Sequence, residues 1–103
     1  MKMSKIEGAI IYEGAANHYA GIEGVGGKLY LTQNALVFIS HKLNIQNHEL
    51  VIPIVEIETF SLSNNLGFVP NGLTIHTKSG KNEMFVVNRR KIWAEKINEV
   101  RGF

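Results

Sequence analysis

The chain has 103 residues, of which 45% are hydrophobic, and a formal net charge of +2. This length and composition favour one folded domain over residues 1–103 and exclude a disordered tail. The absence of cysteine excludes disulfide bonds and thiolate metal sites. No apolar run approaches the ~20 residues that span a bilayer, and Glu7 and Glu13 interrupt the apolar N-terminal segment where a secretory signal would lie, so we expect a cytoplasmic protein.

The first half of the chain predicts four short β-strands. Ala9–Tyr12 is an apolar run, with a continuation into the following residues left open, and Lys28–Thr32 alternates with the period of a half-buried strand. Ala35–Ser40 is apolar on both faces, which indicates either a central strand covered on both sides or a strand covered by a partner chain. Residues 50–54 alternate but include Pro53, which cannot donate to a β-ladder, so this strand lies at an edge or ends there. The glycines between the first two strands predict a flexible connection: Gly21, Gly24, Gly26 and Gly27.

The second half predicts three more strands, at Ile57–Leu62, Leu73–Thr77 and Phe85–Val87. Pro70-Asn71-Gly72 predicts a turn before the second of these. Lys78-Ser79-Gly80-Lys81 predicts a hairpin loop before the third.

From Asn88 the apolar period changes to that of a helix. Trp93, Ile97 and Val100 lie at i, i+4 and i+7, which places them on one face. Asn88 is the predicted N-cap, and Gly102 is the predicted end of the helix. The sequence therefore predicts about seven strands followed by one amphipathic helix, whose apolar face must be buried against the strands.

Six stretches of the sequence together carry a resemblance to a known family: Gly27–Thr32, Leu36–Phe38 with Ser40, Ile52–Ile54 with Ile57, Asn71–Leu73 with Ile75, Gly80 with Phe85, and Arg90 with Trp93. In order and spacing, over residues 24–100, they resemble the GRAM domains of the pleckstrin-homology-like superfold. The resemblance implies a mainly β fold with one C-terminal α-helix: a seven-stranded, partly open barrel, or two orthogonal antiparallel sheets, capped by the helix. It also implies that Trp93 plugs the open end of the barrel.

The resemblance implies a small non-catalytic binding module that acts at membranes through lipids, or through proteins. The residues agree with this function class. The serines lack the context of an activated nucleophile, and the glycines do not open a helix as a phosphate loop does. None of the four histidines lies at i, i+4 spacing from another, and no acidic cluster is near them in sequence. We therefore expect no catalysis, no cofactor and no bound metal.

Positive charge is concentrated in the second part of the chain, since residues 1–60 carry −2 and residues 61–103 carry +4. Arg89, Arg90 and Lys91 open the predicted helix, and a helix N-terminus has free N–H groups that can receive an anion. With Lys78 and Lys81, these residues form the predicted anion site. The alternative is an ordinary solvated corner.

The segment Leu66-Gly67-Phe68-Val69-Pro70 is apolar between two asparagines. Leu66, Phe68 and Val69 are therefore predicted to contact a membrane or a partner, the alternative being that Phe68 packs inward. The predicted partner is an anionic lipid at the inner membrane face, or a protein. Another interpretation is a self-associating structural or protein-interaction domain without lipid binding. Nucleic acid is disfavoured, because the aromatic residues are not interleaved with basic ones on one strand.

Overall fold

The computed structural model describes residue 6 and residues 8–20, 23–41, 48–65 and 69–102. Within these residues the chain forms seven β-strands, a single 3-10 turn at Ile54–Glu56, and one α-helix. The strands are Tyr12–Ala20 (β1), Glu23–Leu31 (β2), Ala35–Ser40 (β3), Glu49–Pro53 (β4), Ile57–Asn65 (β5), Val69–Thr77 (β6) and Asn82–Val87 (β7), and the helix is Arg90–Arg101 (α1). The predicted mainly β fold with a C-terminal helix is confirmed.

The strands form a single antiparallel sheet in the order β4-β3-β2-β1-β7-β6-β5. The sheet curls into a half-barrel, so that its concave face encloses one core and α1 packs against β6 and the 3-10 turn. The two edge strands, β4 and β5, are consecutive in the chain and are joined by that turn. The prediction that Pro53 ends an edge strand is confirmed.

The core is built from the alternate residues of each strand that point to the concave side, together with two residues of α1. The largest of its fully buried side chains are Trp93, Phe38, Phe85, Leu29, Leu31, Leu36, Leu73, Ile75 and Ile97. The Trp93 side chain is 1% exposed and meets the Tyr12 ring edge-on, with centroids 4.7 Å apart and an interplanar angle of 74°. It also passes over Gly14, where a Cβ would lie 3.7 Å from its Cζ2 atom. Trp93 thus fills the mouth of the half-barrel, as the resemblance implies.

The glycines of β2 are strand residues, and the predicted flexible connection is wrong for those that the structure describes. β2 begins at Glu23, before the predicted start at Lys28. At Gly27 a Cβ would clash with the Ile39 carbonyl and would lie 2.7 Å from Phe38 Cζ. These glycines therefore permit close packing between strands, which a sequence pattern cannot distinguish from flexibility.

The predicted turn at Pro70-Asn71-Gly72 is also wrong, because these residues lie within β6. Gly72 pairs with Ser63 of β5 and with Val86 of β7. A Cβ at Gly72 would lie 2.8 Å from the Ser63 carbonyl oxygen. The glycine is thus required by the close approach of β5. Pro70 is accommodated near the start of β6, beside the irregular pairing between Ser63 and Asn65.

The convex face of β2 and β3 also carries buried apolar side chains. A small second cluster lies there, formed by Tyr30, Val37 and Ile39, and Ile6 packs against it. The Ile11 N–H donates to the Leu31 carbonyl at 2.7 Å, which ties the residue before β1 to β2. Of the two alternatives for Ala35–Ser40, the structure therefore supports a strand covered on both sides by its own chain.

We expect Ile6→Ala to lower the free energy of unfolding by about 1–2 kcal/mol, less than the ~2–5 kcal/mol of a fully buried isoleucine, because Ile6 is only half-buried. Urea denaturation followed by circular dichroism measures this change. The control is Ile10→Ala, since Ile10 is 40% exposed, and its effect should stay within about 0.5 kcal/mol. Equal effects at both positions would contradict the packing role of Ile6.

Two arginines of α1 reach the open edge of the sheet at β5. Arg90 Nη1 donates to the Ser63 carbonyl at 2.5 Å and to Asn64 Oδ1 at 3.3 Å. Arg101 Nη2 donates to the Glu58 carbonyl at 2.7 Å and to the Ile57 carbonyl at 3.4 Å. Both ends of α1 are thus attached to backbone carbonyls of an edge strand.

Candidate ligand-binding surface

The basic corner, defined here as Arg89, Arg90 and Lys91, lies where β7 is followed by α1. Arg89 is the N-cap of α1 and has a left-handed backbone conformation, with φ 57° and ψ 52°. Its carbonyl accepts the Trp93 N–H at 3.2 Å, and its side chain makes no capping hydrogen bond. The predicted N-cap at Asn88 is therefore wrong, because the left-handed turn at Arg89 starts the helix one residue later. The predicted end at Gly102 is confirmed, since Gly102 has φ 91°.

The three cations of the basic corner differ in their surroundings. Arg89 and Lys91 are exposed, whereas Arg90 is half-buried and held by its hydrogen bonds to β5. Pro70 and Ile92 complete the walls of a shallow depression of about 310 Å³ at this corner. The exposed guanidinium and ammonium groups are thus the ones available to an external anion.

The placement of these cations is electrostatically unfavourable without a counterion. The amide dipoles of a helix give its N-terminus a partial positive charge, which disfavours nearby cations by roughly 0.3–1 kcal/mol each when they are exposed. The first turn of α1 contains no acidic residue. The left-handed backbone of Arg89 adds a further cost of roughly 1–2 kcal/mol. An anion bound here would offset the charge repulsion.

Lys78 and Lys81 do not join the basic corner. They lie in the turn between β6 and β7, where Gly80 has φ +94° and the Thr77 N–H donates to the Lys81 carbonyl at 2.9 Å. This hairpin confirms the predicted loop. The turn precedes β7 and the basic corner follows it, so the six residues of this strand separate them by about 20 Å. The structure thus brings together three of the five predicted cations and places the other two at the far end of β7.

The predicted apolar contact segment is only partly within the described residues. Leu66 and Phe68 lie outside them, so their predicted membrane or partner contact stays a prediction. Val69 begins β6 and is half-buried, paired with Asn65 of β5. Pro70 follows it directly and borders the basic corner. The last residue of the segment, Pro70, is therefore part of the depression at the basic corner.

A histidine pair, which the sequence analysis missed, lies near the opposite end of β7, with His18 buried and His48 half-buried. His18 is 5% exposed, and its Nδ1 atom lies 2.6 Å from Nε2 of His48. Its other ring nitrogen, Nε2, lies 2.8 Å from Glu83 Oε1. The three residues come from β1, the residue before β4, and β7. One signal was available: in β1 His18 shares the concave face with Ala16, and a histidine there requires a polar partner.

The pKa of His48 lies below its ordinary value of 6.5. Burial is the largest cause, because it disfavours the imidazolium, and the adjacent His18 acts in the same direction. The Glu83 carboxylate opposes both by favouring the charged form. His48 is therefore held in its neutral state over a wider pH range than a solvated histidine.

A third histidine lies in an exposed polar row across β5, β6 and β7. His76 Nε2 lies 2.9 Å from Ser61 Oγ, and His76 Nδ1 lies 2.7 Å from Asn82 Oδ1. Hydroxyl, imidazole and amide follow the order found at activated nucleophiles. The row is exposed to solvent, and we assign it to cross-strand pairing. Among the described residues no group of three or more His, Asp or Glu side chains is arranged to hold a metal ion.

The described part of the chain contains no helix that is both long and apolar enough to cross a bilayer. No curated protein is significantly similar to the chain in sequence. Solved structures do share its fold. The C-terminal domain of an unknown protein from Leishmania infantum superposes with a TM-score of 0.79 at 15% identity, covering 90% of this chain and 84% of that one.

Two pleckstrin-homology domains are similar in the same way. The Slm1-PH domain, solved in complex with phosphoserine, has a TM-score of 0.68 at 16% identity, covering 91% of this chain and 97% of that one. The Vps36 N-terminal PH domain has a TM-score of 0.71 at 12% identity, covering 90% and 78%. At such identities the similarity concerns the fold. The family model of the GRAM domain matches residues 23–92, which is more than half of the chain. The curled seven-stranded sheet, the helix at its mouth and this match together show that the chain belongs to the GRAM domain family.

Proposed function

We propose that this chain is a non-catalytic module that binds anionic membrane lipids peripherally through its basic corner. The family and the fold support a lipid-binding or protein-binding module. The observation that carries the choice of site is the presence of three consecutive cations at the uncapped N-terminus of α1, two of them exposed. A phosphate there would meet opposite charge and unpaired backbone donors together.

The expected contributions of the three cations are unequal. Arg89 and Lys91 would supply most of the binding, because Arg90 must first leave the Ser63 carbonyl before it can bind a ligand. Juxtamembrane cations contribute about 1 kcal/mol each towards an anionic surface. Two such contacts give weak, reversible and salt-sensitive binding. An apolar contact from Leu66, Phe68 and Val69 would add to it at the same corner.

A neighbour with this fold supports an anionic ligand. The Slm1-PH domain was solved with phosphoserine, which carries a phosphate group. We propose the same ligand chemistry for the basic corner of this chain, with the phosphate supplied by a lipid headgroup. The alternative is that a protein supplies the phosphate, and the test below distinguishes the two sources.

The test is cosedimentation with vesicles of phosphatidylcholine containing phosphatidylserine, at two salt concentrations. The double variant Arg89→Glu/Lys91→Glu should bind at least about tenfold more weakly than the unaltered chain at low salt, since two contacts of about 1 kcal/mol are replaced by repulsion. Arg90 is left intact, so the β5 edge is not disturbed.

The matched comparison is Lys78→Glu/Lys81→Glu, which changes the net charge by the same amount at the other end of β7. Binding that falls equally in both variants would show bulk attraction and contradict a site at the basic corner. Binding that is absent from the unaltered chain, with capture of a purified protein instead, would favour the protein-binding alternative.

Self-association without lipid binding is the other function considered. The reason for considering it was the apolar strand Ala35–Ser40, but its convex-face residues Val37 and Ile39 are already buried within the chain, with Ile6 packed against them. Light scattering over a range of concentrations separates the two functions. The lipid proposal predicts that the free protein keeps the molar mass of one chain at all concentrations and that it binds vesicles in the cosedimentation experiment.

A further inference from the structure

The second unusual arrangement of side chains is the row of Glu83, His18 and His48, in which His18 is buried and the other two are half-buried. It is independent of the basic corner, because it lies near the other end of β7. The His18 ring packs against Phe38 and Phe85, with centroids 5.6 and 5.0 Å away. Both ring nitrogens of His18 have a partner, at 2.6 and 2.8 Å. The site is thus a polar chain enclosed by aromatic rings.

Counting protons shows which states this geometry permits. The Glu83 carboxylate accepts a hydrogen bond from the His18 Nε2–H group. Because His18 Nδ1 and His48 Nε2 are 2.6 Å apart, only one hydrogen can lie between them. A neutral pair satisfies both hydrogen bonds, and so does a pair carrying one extra proton. A doubly protonated pair does not, since two N–H groups would face each other across 2.6 Å.

His48 also holds the start of β4 in place. The Ser40 N–H donates to the His48 carbonyl at 2.9 Å, and the His48 N–H donates to Ser40 Oγ at 3.2 Å. These bonds join the end of β3 to the residue that precedes β4. The ring contact with His18 and the backbone bonds with Ser40 are thus made by the same residue.

We propose that the His18–His48 pair is a proton-operated latch, in which uptake of a second proton breaks the hydrogen bond between the rings and releases the start of β4. Within the described part of the chain, the groups that face the pair are Glu83 from β7 and the rings of Phe38 and Phe85. Lys81 and Glu56 border the cleft between β4 and Glu83, and they supply one charge of each sign. Glu83 is thus the charge that contacts the pair directly.

The direction of the pH response follows from the state of His48. Its pKa is lowered in the closed form, so the open form takes up protons more readily. The latch is then fully closed above the ordinary histidine pKa of 6.5 and opens as the pH falls below it, towards the lower pKa of the closed form. Acid opens the latch, and neutral pH closes it.

Amide hydrogen exchange of the full chain, corrected for intrinsic rates, tests the latch. The protection of the Ser40 amide should fall between pH 7.5 and 5.5 by up to about tenfold, because the lower pH lies one unit below the ordinary histidine pKa of 6.5. The Thr32 amide, which donates to the Ala35 carbonyl at 2.9 Å far from the pair, is the internal control. Its corrected protection should not change.

Three variants sharpen the test. His48→Gln removes the titrating group and should abolish the loss at Ser40, whereas His76→Gln, at the exposed row, should retain it. Glu83→Gln should enlarge the loss, because the carboxylate supports proton uptake by the closed form. Unchanged Ser40 protection in the unaltered chain, or an equal acid loss in His48→Gln, overturns the proposal. So does an NMR titration of the unaltered chain that places the pKa of His48 at or above its ordinary value, and this measurement needs no variant to fold.

Discussion

Trp93→Ala is expected to lower the free energy of unfolding by about 3–5 kcal/mol, as for other buried tryptophans. The side chain is 1% exposed, it contacts the Tyr12 ring edge-on, and it closes the mouth of the half-barrel. Its removal leaves a cavity, because the residues beside it, Tyr12 and Gly14, are held in place by the strand pairing of β1. A domain of this size has a total stability of about 5–15 kcal/mol, so the loss is a large part of it.

Thermal melting followed by far-ultraviolet circular dichroism measures this change, since the variant lacks the only tryptophan. The melting temperature should fall by more than about 10 °C. The matched control is Trp93→Phe, which keeps an aromatic ring over Gly14 and should cost distinctly less. A melting curve for Trp93→Ala that coincides with that of the unaltered chain would contradict the role of α1 in closing the barrel.

Gly27→Ala is expected to have the second large effect, a loss of about 1–3 kcal/mol, the usual cost of overpacking. The added methyl group would meet the Ile39 carbonyl, Phe38 Cζ at 2.7 Å and Ser40 Cα at 2.8 Å. Two of these three atoms are backbone, which cannot move aside without separating β2 from β3. The upper part of the range is therefore expected.

The neighbouring residue provides the control for this substitution. At Gly26 a new Cβ would lie 3.3 Å from Asn17 Oδ1, which is the end of a movable side chain. Gly26→Ala should therefore leave the urea midpoint nearly unchanged, whereas Gly27→Ala should lower it without changing the slope. Equal midpoints for the two variants would show that β2 and β3 are not as closely packed as the structure has them.

The sequence predicted the fold well because local periods encode it. Alternation in Lys28–Thr32 and Leu73–Thr77, and helical spacing from Trp93 to Val100, depend only on which residues face the core. Gly27 and Gly72 were misinterpreted for the opposite reason. Each is required by the close approach of a paired strand, and in sequence a glycine that permits close approach has the same appearance as one that permits a turn.

The candidate site was predictable in part. Arg89, Arg90 and Lys91 are adjacent in sequence and stay together, whereas the hydrogen bonds of Arg90 to β5 depend on tertiary structure. Lys78 and Lys81 were wrongly grouped with these cations in the predicted anion site, because the predicted strand Phe85–Val87 already separates them from the helix. The His18–His48 pair was missed because its members are 30 residues apart and share no motif.

The attachment of Arg90 to Ser63 has a consequence for recognition. β5 is an edge strand, and an edge strand is a template on which a foreign strand could pair, so a guanidinium bonded to a carbonyl of this strand hinders such pairing. A ligand that recruits Arg90 must remove that protection. By thermodynamic reciprocity, anion affinity at this corner and the tendency of β5 to recruit an extended peptide are then coupled, each strengthening the other.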